Sequence, residues 1–339
     1  MSAAVAAVLV AAASASWLLT RFIRGYALRR SLLDIPNHRS SHTVATPRGG
    51  GVAIAAASLA GIAALGALGV VPRAAVLALV GGGAMIAGIG WLDDRGHVPA
   101  RWRFLVHLAA ASWALFWAGG LPSLSLGAWR VELGVAGPVL GALGIVWLTN
   151  LYNFMDGIDG IAGGEALTTG VAAGILLWMG GVPGLGSASL VVAAASAGFL
   201  VWNWAPARIF MGDVGSGYLG YVFAVLALFS ERQGRLPLML WAVLLGVFLF
   251  DATVTLVRRV MRGERFFDAH RKHAYQRAVQ AGWPHSRTSG AVLAVNVLLA
   301  LAATVGWREP RLVPAALAAG TALVAAAYLW VERRRPMWE

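Results

Sequence analysis

The chain has 339 residues, 59% of them hydrophobic and only 12% charged, against roughly 25% charged in a soluble domain. With a mean hydropathy of +0.71, the chain reads as one polytopic integral membrane domain over 1–339, because no soluble domain of ordinary size fits between its apolar runs. The absence of cysteine excludes disulfides, thiolate metal sites and a cysteine nucleophile, and the net charge of +12 calls for no nucleic acid, since 26 of the 27 basic residues are arginines set in loops between apolar runs.

Taken in chain order, apolar runs bounded by charges and Pro/Gly clusters predict an all-α protein of eleven membrane spans. They lie near 2–20, 50–71, 74–92, 104–121, 137–152, 165–181, 187–204, 215–230, 236–257, 288–306 and 312–331. The first lacks a basic leader and is followed by arginines, so it reads as a retained span rather than a signal peptide. With the N-terminus outside and the C-terminus in the cytoplasm, 21 basic residues fall on inner loops and 6 on outer ones. The same assignment places 12 of the 15 acids at or near the inner face and leaves only Glu132, Glu231 and Glu309 outside. Six of the seven histidines, all but His107, also fall on inner loops. Charges of both signs converging on one face predict a site there, built from loops near 21–50, 93–103, 150–164, 203–216 and 258–287, while outer connections such as "PSLSLGAWRVELG" read as short hairpins.

The first inner loop, "DIPNHRSSHTVATPRGGG", offers Asp34, His38, Arg39, His42 and Arg48 to an anion, with glycines that allow close backbone approach at the start of the next span. The second, "GWLDDRGHVPARWR", places Asp93 and Asp94 side by side; a cation or a shared proton relieves such repulsion, and a helix cap or a pair with Arg95 is the plainer alternative. In the third, "NLYNFMDGIDGIAGG", Asp156 and Asp159 share a face if the segment is helical, and Asn150 and Asn153 repeat the spacing one turn earlier.

The fourth loop, "NWAPARIFMGDVGSG", sets Asp213 in a glycine-rich turn that suits a carboxylate facing a metal while backbone N–H groups face a phosphate. It is not a P-loop. The fifth, "RRVMRGERFFDAHRKHAYQRAVQAGWPHSR", puts His270, His273 and Arg277 at helical spacing, suited to a diphosphate. Asp251, seven residues before Arg258, reads as that arginine's partner. Carboxylates that bind Mg²⁺, ringed by arginines and histidines that bind phosphates, are equipment for phosphoryl transfer, which needs positioning and charge neutralisation more than covalent chemistry.

These five motifs, in this order, resemble the polyprenyl-phosphate N-acetylhexosamine-1-phosphate transferases (glycosyltransferase family 4) over about residues 30–290. The third to fifth look most like the O-antigen-initiating branch. The resemblance implies a UDP-amino-sugar donor, a polyprenyl (undecaprenyl) phosphate acceptor held in the lipid bilayer, UMP release, Mg²⁺ with Mn²⁺ as substitute, and a bacterial inner membrane location with the site on the cytoplasmic face. A homodimer is an allowed arrangement. It implies Asp213 as principal metal ligand, with Asp93 and Asp94 holding the metal region and the lipid phosphate and Asp93 as base or orienter. Asn153, Asp156 and Asp159 would line the nucleotide pocket, and Arg48, His270, Arg271 and His273 would hold diphosphate and sugar. Muramoyl-pentapeptide enzymes carry three consecutive histidines where this chain reads "HRKH", so GlcNAc, GalNAc, FucNAc or QuiNAc is the expected sugar. The rival readings are a transporter of a lipid or anion, which requires polar residues along a path through the spans, and a CDP-alcohol phosphatidyltransferase, which would gather its acids in one motif.

Overall fold

The computed structural model describes residues 1–36, 41, 44–96, 98–265 and 270–338; His38, Arg39 and His42 lie outside the described residues. The chain runs α1 (Ala3–Arg29), a two-residue ladder of β1 (Leu33–Asp34) with β2 (Thr46–Pro47), α2 (Gly51–Ala67), α3 (Arg73–Val76), a π-helical turn (Leu77–Gly82), α4 (Gly83–Arg95) and α5 (Ala100–Ala118). A hairpin of β3 (Ser123–Leu126) and β4 (Trp129–Glu132) leads to α6 (Ala136–Phe154), α7 (Ile161–Met179), α8 (Pro183–Asn203) and α9 (Asp213–Arg232). The rest is α10 (Leu238–Leu244), α11 (Gly246–Met261), α12 (Ala274–Gln280), α13 (His285–Arg308) and α14 (Val313–Arg334).

Every stretch predicted to span is helical over most of its length, although 50–71 leaves the helix after Ala67 and 236–257 is split between α10 and α11. Among the described residues, seven helices are long and apolar enough to cross a membrane, eight if the bent pair α10 and α11 is one broken span. Neither α2, with 17 residues, nor α5 or α6 meets that measure. The protein is thus an all-helical, polytopic membrane protein.

The helix α9 is the hub. Its apolar window is 94% buried within the protein, against 22% for α1 and 28% for α13 and α14, and it packs against α2, α4 and α6. In lipid no hydrophobic force draws helices together, so close packing of small residues must do it. A Cβ on Gly51 of α2 would stand 2.4 Å from the Cα of Gly215, and one on Gly220 would stand 2.4 Å from the Leu148 carbonyl of α6. Glycine at these positions sets the spacing of the whole core.

Two helical stretches depart from α geometry within apolar sequence, where freed carbonyls need partners. At the π-helical turn, the Tyr221 hydroxyl donates to the Ala78 carbonyl at 2.9 Å and the Trp113 indole N–H donates to the Leu77 carbonyl at 2.7 Å. Between α10 and α11 the axis turns by 86°, and the Thr169 hydroxyl donates to the Leu244 carbonyl at 3.3 Å. The bend carries α11 to the end of the bundle where α9 begins. At the opposite end of α9 the Glu231 carboxylate accepts from the amides of Ser125 (2.7 Å) and Leu238 (2.6 Å), pinning the hairpin and the start of α10.

Gly215→Val should therefore lower stability by about 1–3 kcal/mol or more through overpacking. Gly144→Ala on α6, where a Cβ meets nothing within 4 Å, should be neutral or slightly stabilising. Thermal unfolding in detergent compares the two.

Candidate active site

The site grows from the first turn of α9. A helix start leaves backbone N–H groups without partners, and here the cap comes from another helix. The Asp94 carboxylate, at the end of α4, accepts from the amides of Asp213 (3.0 Å) and Val214 (3.3 Å). Gly212 sits at φ 78°, and a Cβ on it would meet Asp94 Oδ2 at 2.6 Å. Gly90 on α4 is equally constrained, for its Cβ would lie 2.7 Å from the Asp213 carbonyl. The amides of Gly215 and Ser216 are turned to the Gly212 carbonyl. The expectation that backbone N–H groups of this turn face a phosphate is therefore corrected: all four are already bonded within the protein.

What the turn does present is the Asp213 side chain. Arg103 of α5 places one guanidinium nitrogen 2.5 Å from Asp93 Oδ2 and 3.5 Å from Asp213 Oδ2, and the other Asp93 oxygen accepts from the Val98 amide at 2.8 Å. Asp93 thus orients Arg103. Arg95, the partner considered for this acidic pair, instead lies over the Trp91 ring at 3.9 Å. Arg48 reaches the same corner from the first loop and donates to the Asp94 carbonyl at 2.5 Å. Its segment is stitched to the fourth loop by Gly50 and Gly51 amides donating to the Phe210 and Met211 carbonyls.

The third loop adds the opposite wall. The stretch between α6 and α7 is a turn, so Asp156 and Asp159 do not share a helical face as expected. Asp159 is buried: it accepts from the Ala207 amide at 2.9 Å and pairs with His285 at 3.1 Å, tying the third, fourth and fifth loops together. Asp156 faces the other carboxylates. Burial first, then the negative charges of Asp213, Asp94 and Asp159, push its carboxyl well above the usual range. Asn153 donates to the Ser216 hydroxyl of α9 at 3.3 Å, while Asn150 points away, toward the His107 ring and the Val146 carbonyl.

Two cavities meet here. A polar cleft of about 300 Å³ is lined by Arg48, Asp94, Asn153, Asp156, Asp159 and Asp213, among others. Beside it an apolar groove of about 360 Å³ runs between α4, α5, α6 and α11, lined by residues such as Ile86, Phe104, Trp147 and Leu256, with Arg103. Asn153 and Asp213 line both.

The fifth loop stands next to the cleft. His273 is 4% exposed, its ring lies 3.4 Å from the Asp251 carboxylate, and its amide meets Gln276 in a capping box at the start of α12. Asp251 also accepts from the amides of Ala274 and Tyr275. The expected pairing of Asp251 with Arg258 is corrected, since Arg258 turns to Glu332 and Tyr328. The expected shared face of His270, His273 and Arg277 does not form, because α12 begins at Ala274 and Arg277 is buried against Glu332. Tyr275 anchors the loop to the third by donating to the Phe154 carbonyl at 3.0 Å, and Gln276 lines the cleft itself. Arg271 is exposed, and its carbonyl accepts from Gln280.

Comparison with known proteins bears on this arrangement. The profile described as Glycosyl transferase family 4 matches residues 76–231. A Bacillus subtilis (strain 168) protein described as "Probable undecaprenyl-phosphate N-acetylglucosaminyl 1-phosphate transferase" is 30% identical over 85% of this chain and 81% of its own length. This chain is a polyprenyl-phosphate sugar-1-phosphate transferase of glycosyl transferase family 4. The transferase is also 28% identical to an Escherichia coli O157:H7 undecaprenyl-phosphate alpha-N-acetylglucosaminyl 1-phosphate transferase, over 84% of this chain and 78% of that one. A phospho-N-acetylmuramoyl-pentapeptide-transferase of Moorella thermoacetica is 34% identical over a shorter stretch, 58% of this chain and 62% of that one. Membership in the family displaces the transporter and CDP-alcohol readings.

Sequence reasoning passed over Arg103 of the transferase, which joins two of the acids, and Gln276, in the wall of the cleft. The signal for Arg103 was its place on the same short inner loop as Asp93 and Asp94, ten residues beyond Asp93. The motif resemblance raises the expectation of a divalent cation. Among the described residues no three acidic or histidine side chains close around one point, but Mg²⁺ seldom takes an all-protein cage; one or two carboxylates with substrate phosphate oxygens and water suffice. The donor set fits: hard oxygen ligands at Asp213 and Asp156, in a cleft whose acids repel one another until a cation enters.

His270 supplies a pH test. Burial, then the charges of His273, Arg259 and Lys272, hold its imidazole down to about 3, with Glu264 acting weakly the other way. The folded chain thus binds fewer protons at this site than the unfolded chain, whose histidine titrates near 6.5. Its contribution to stability is intact above about pH 6.5 and is lost as pH falls toward the folded value. The melting temperature in detergent should drop between about pH 7 and about pH 5, and His270→Asn should make that drop shallower.

Proposed function

We propose that the transferase moves an N-acetylhexosamine 1-phosphate from a UDP-sugar to undecaprenyl or a related polyprenyl phosphate, releasing UMP. The observation that carries this reading is the meeting of the polar cleft with the apolar groove at Asn153 and Asp213. A water-soluble diphosphate fits the first, a prenyl chain fits the second, and their reacting phosphates come together at the shared wall.

In the reaction, an oxygen of the lipid phosphate attacks the β-phosphorus of the donor. The bond from that phosphorus to the bridging oxygen breaks, and UMP leaves with the oxygen. A phosphate monoester has its second pKa near 6, so the acceptor is already ionised at neutral pH and needs no base. Its difficulty is repulsion between two anions. Arg103, at the head of the groove, receives the lipid phosphate; Asp93 positions that arginine. Arg48 faces the donor diphosphate. Asp213, with Asp156 close by, would hold Mg²⁺ or Mn²⁺, which neutralises charge on the transferring phosphate when bound. Asp94 acts through α9, keeping Asp213 at the shared wall.

We place the chain in eleven spans with the N-terminus outside and all five motif loops on the cytoplasmic face of a bacterial inner membrane. The 21-to-6 split of basic residues supports this orientation. Where muramoyl enzymes carry three histidines, this chain carries "HRKH", which favours a plain amino sugar and the opening step of an O-antigen or related envelope glycan.

Purified protein, offered UDP-GlcNAc, UDP-GalNAc and UDP-muramoyl-pentapeptide with undecaprenyl phosphate, should release UMP from an N-acetylhexosamine donor and leave the muramoyl donor unused. Turnover should vanish in chelator and return with Mg²⁺ or Mn²⁺. Asp213→Asn should lose about 10²–10³ in turnover, and Arg103→Ala should raise the KM for lipid phosphate more than that for donor. Full activity in EDTA, or consumption of the muramoyl donor at the same rate, contradicts the assignment.

A further inference from the structure

The segment that follows α14 folds back over the fifth loop. Glu332 accepts two hydrogen bonds from Arg258, both at 2.8 Å, and one from Arg277 at 2.5 Å. Arg277, which is 1% exposed at its side chain, also donates to the Arg335 carbonyl at 2.9 Å. Met337 is buried. Trp338 then donates its indole N–H to Glu264 at 2.9 Å, and Arg262, Arg258 and Lys272 lie over its ring at 4.0, 4.9 and 5.4 Å. Glu264 in turn holds Lys272 and accepts from Arg259 at 2.8 Å.

This chain of contacts ends beside the candidate donor loop. Lys272 lies between His270 and His273, whose rings are 4.8 Å apart, and the Lys272 amide donates to His270. Among the described residues, four cations, Arg258, Arg259, Lys272 and Arg277, share two carboxylates, Glu264 and Glu332, and a fifth, Arg262, stacks on the Trp338 ring. Among the described residues, one buried guanidinium nitrogen of Arg259 has no hydrogen-bond partner. Such an excess of fixed positive charge costs stability unless an anion comes to it, and it raises the local concentration of anionic ligands.

We propose that the fifth loop contributes to the donor end of the cleft through Gln276, which lines it, and that Trp338 and Glu332 are positioning residues for that loop: by holding Arg258, Arg262, Lys272 and Arg277 they fix α12 and the residues before it. The inference rests on the donor reading above. It assigns residues 332–338 a part in donor affinity that their distance in sequence from every motif conceals. Neither residue touches the reacting atoms, so acceptor binding and the chemical step should be spared.

The test is steady-state kinetics of full-length wild-type, Trp338→Ala and Trp338→Phe proteins, with UDP-N-acetylhexosamine and undecaprenyl phosphate varied separately, alongside melting temperatures. Trp338→Ala should raise the donor KM about tenfold, as loss of a hydrogen bond to a charged group does, with acceptor KM and kcat nearly unchanged. Trp338→Phe keeps a ring beneath the cations and loses only the N–H, so its donor KM should rise by about threefold. If Trp338→Ala also lowers the melting temperature, Trp338→Phe decides. An active wild type whose variants keep the wild-type donor KM overturns this inference alone, as does a parallel loss in donor KM, acceptor KM and kcat. A wild type that uses no UDP-N-acetylhexosamine overturns the donor reading and this inference with it.

Discussion

The structure depends on one carboxylate capping a helix that is not its own. Asp94 closes the start of α9 by accepting two of its first amides. That start is buried among helices, where unpaired N–H groups cost several kcal/mol each by order of magnitude. A cap from within α9's own chain would place its side chain where the cleft is. Supplying it from α4 leaves Asp213 facing outward. The contact also fixes its neighbours: Gly212, because a side chain there would strike Asp94, and Gly90, because α4 must come within reach. With Gly51 and Gly215 in contact on the other side, three helices converge on one turn, and the acids they carry converge with them.

The second constraint follows from placing a charged site beside lipid. The cleft gathers Asp94, Asp156, Asp159 and Asp213, and each is handled differently. Asp94 is spent on amides and Asp159 on an amide and a histidine, so their charges are compensated structurally. Asp213 shares Arg103 with Asp93. Asp156 is left with the accumulated negative field. Arg103 bridges Asp93 and Asp213 and also lines the groove, so it stands where the acids and the groove meet. The fold in this way keeps a guanidinium beside Asp213.

The helices were legible in the sequence because apolar runs in lipid have few alternatives to helix, and each predicted stretch is helical over most of its length. Count and crossing were less so: α2 is short, and the 86° bend at Leu245 has no proline or glycine pair that announces it. The convergence of loops was legible from charge placement, since Arg48, Asp93, Asp94, Asn153, Asp156, Asp159 and Asp213 do come to one corner. What could not be read was the division of labour within that corner. Whether a carboxylate caps, bridges or stands open depends on which backbone amide lies opposite, and Asp94 and Asp251 both turn out to cap helices distant in sequence. The fifth loop shows the same limit. Its spacing suggested a helix carrying His270, His273 and Arg277, but the Asp251 carboxylate starts α12 only at Ala274, and Glu332 claims Arg277.

Asp213 is the open carboxylate of the corner, held there by Asp94, and we propose that it receives a cation together with a diphosphate. Mn²⁺ binding to the purified protein, followed by electron paramagnetic resonance with and without UDP-N-acetylhexosamine, tests this most directly. One bound Mn²⁺ is predicted, held more tightly when the donor is present and lost in Asp213→Asn at unchanged melting temperature. A site equally occupied in Asp213→Asn, or an affinity indifferent to the donor, would contradict it.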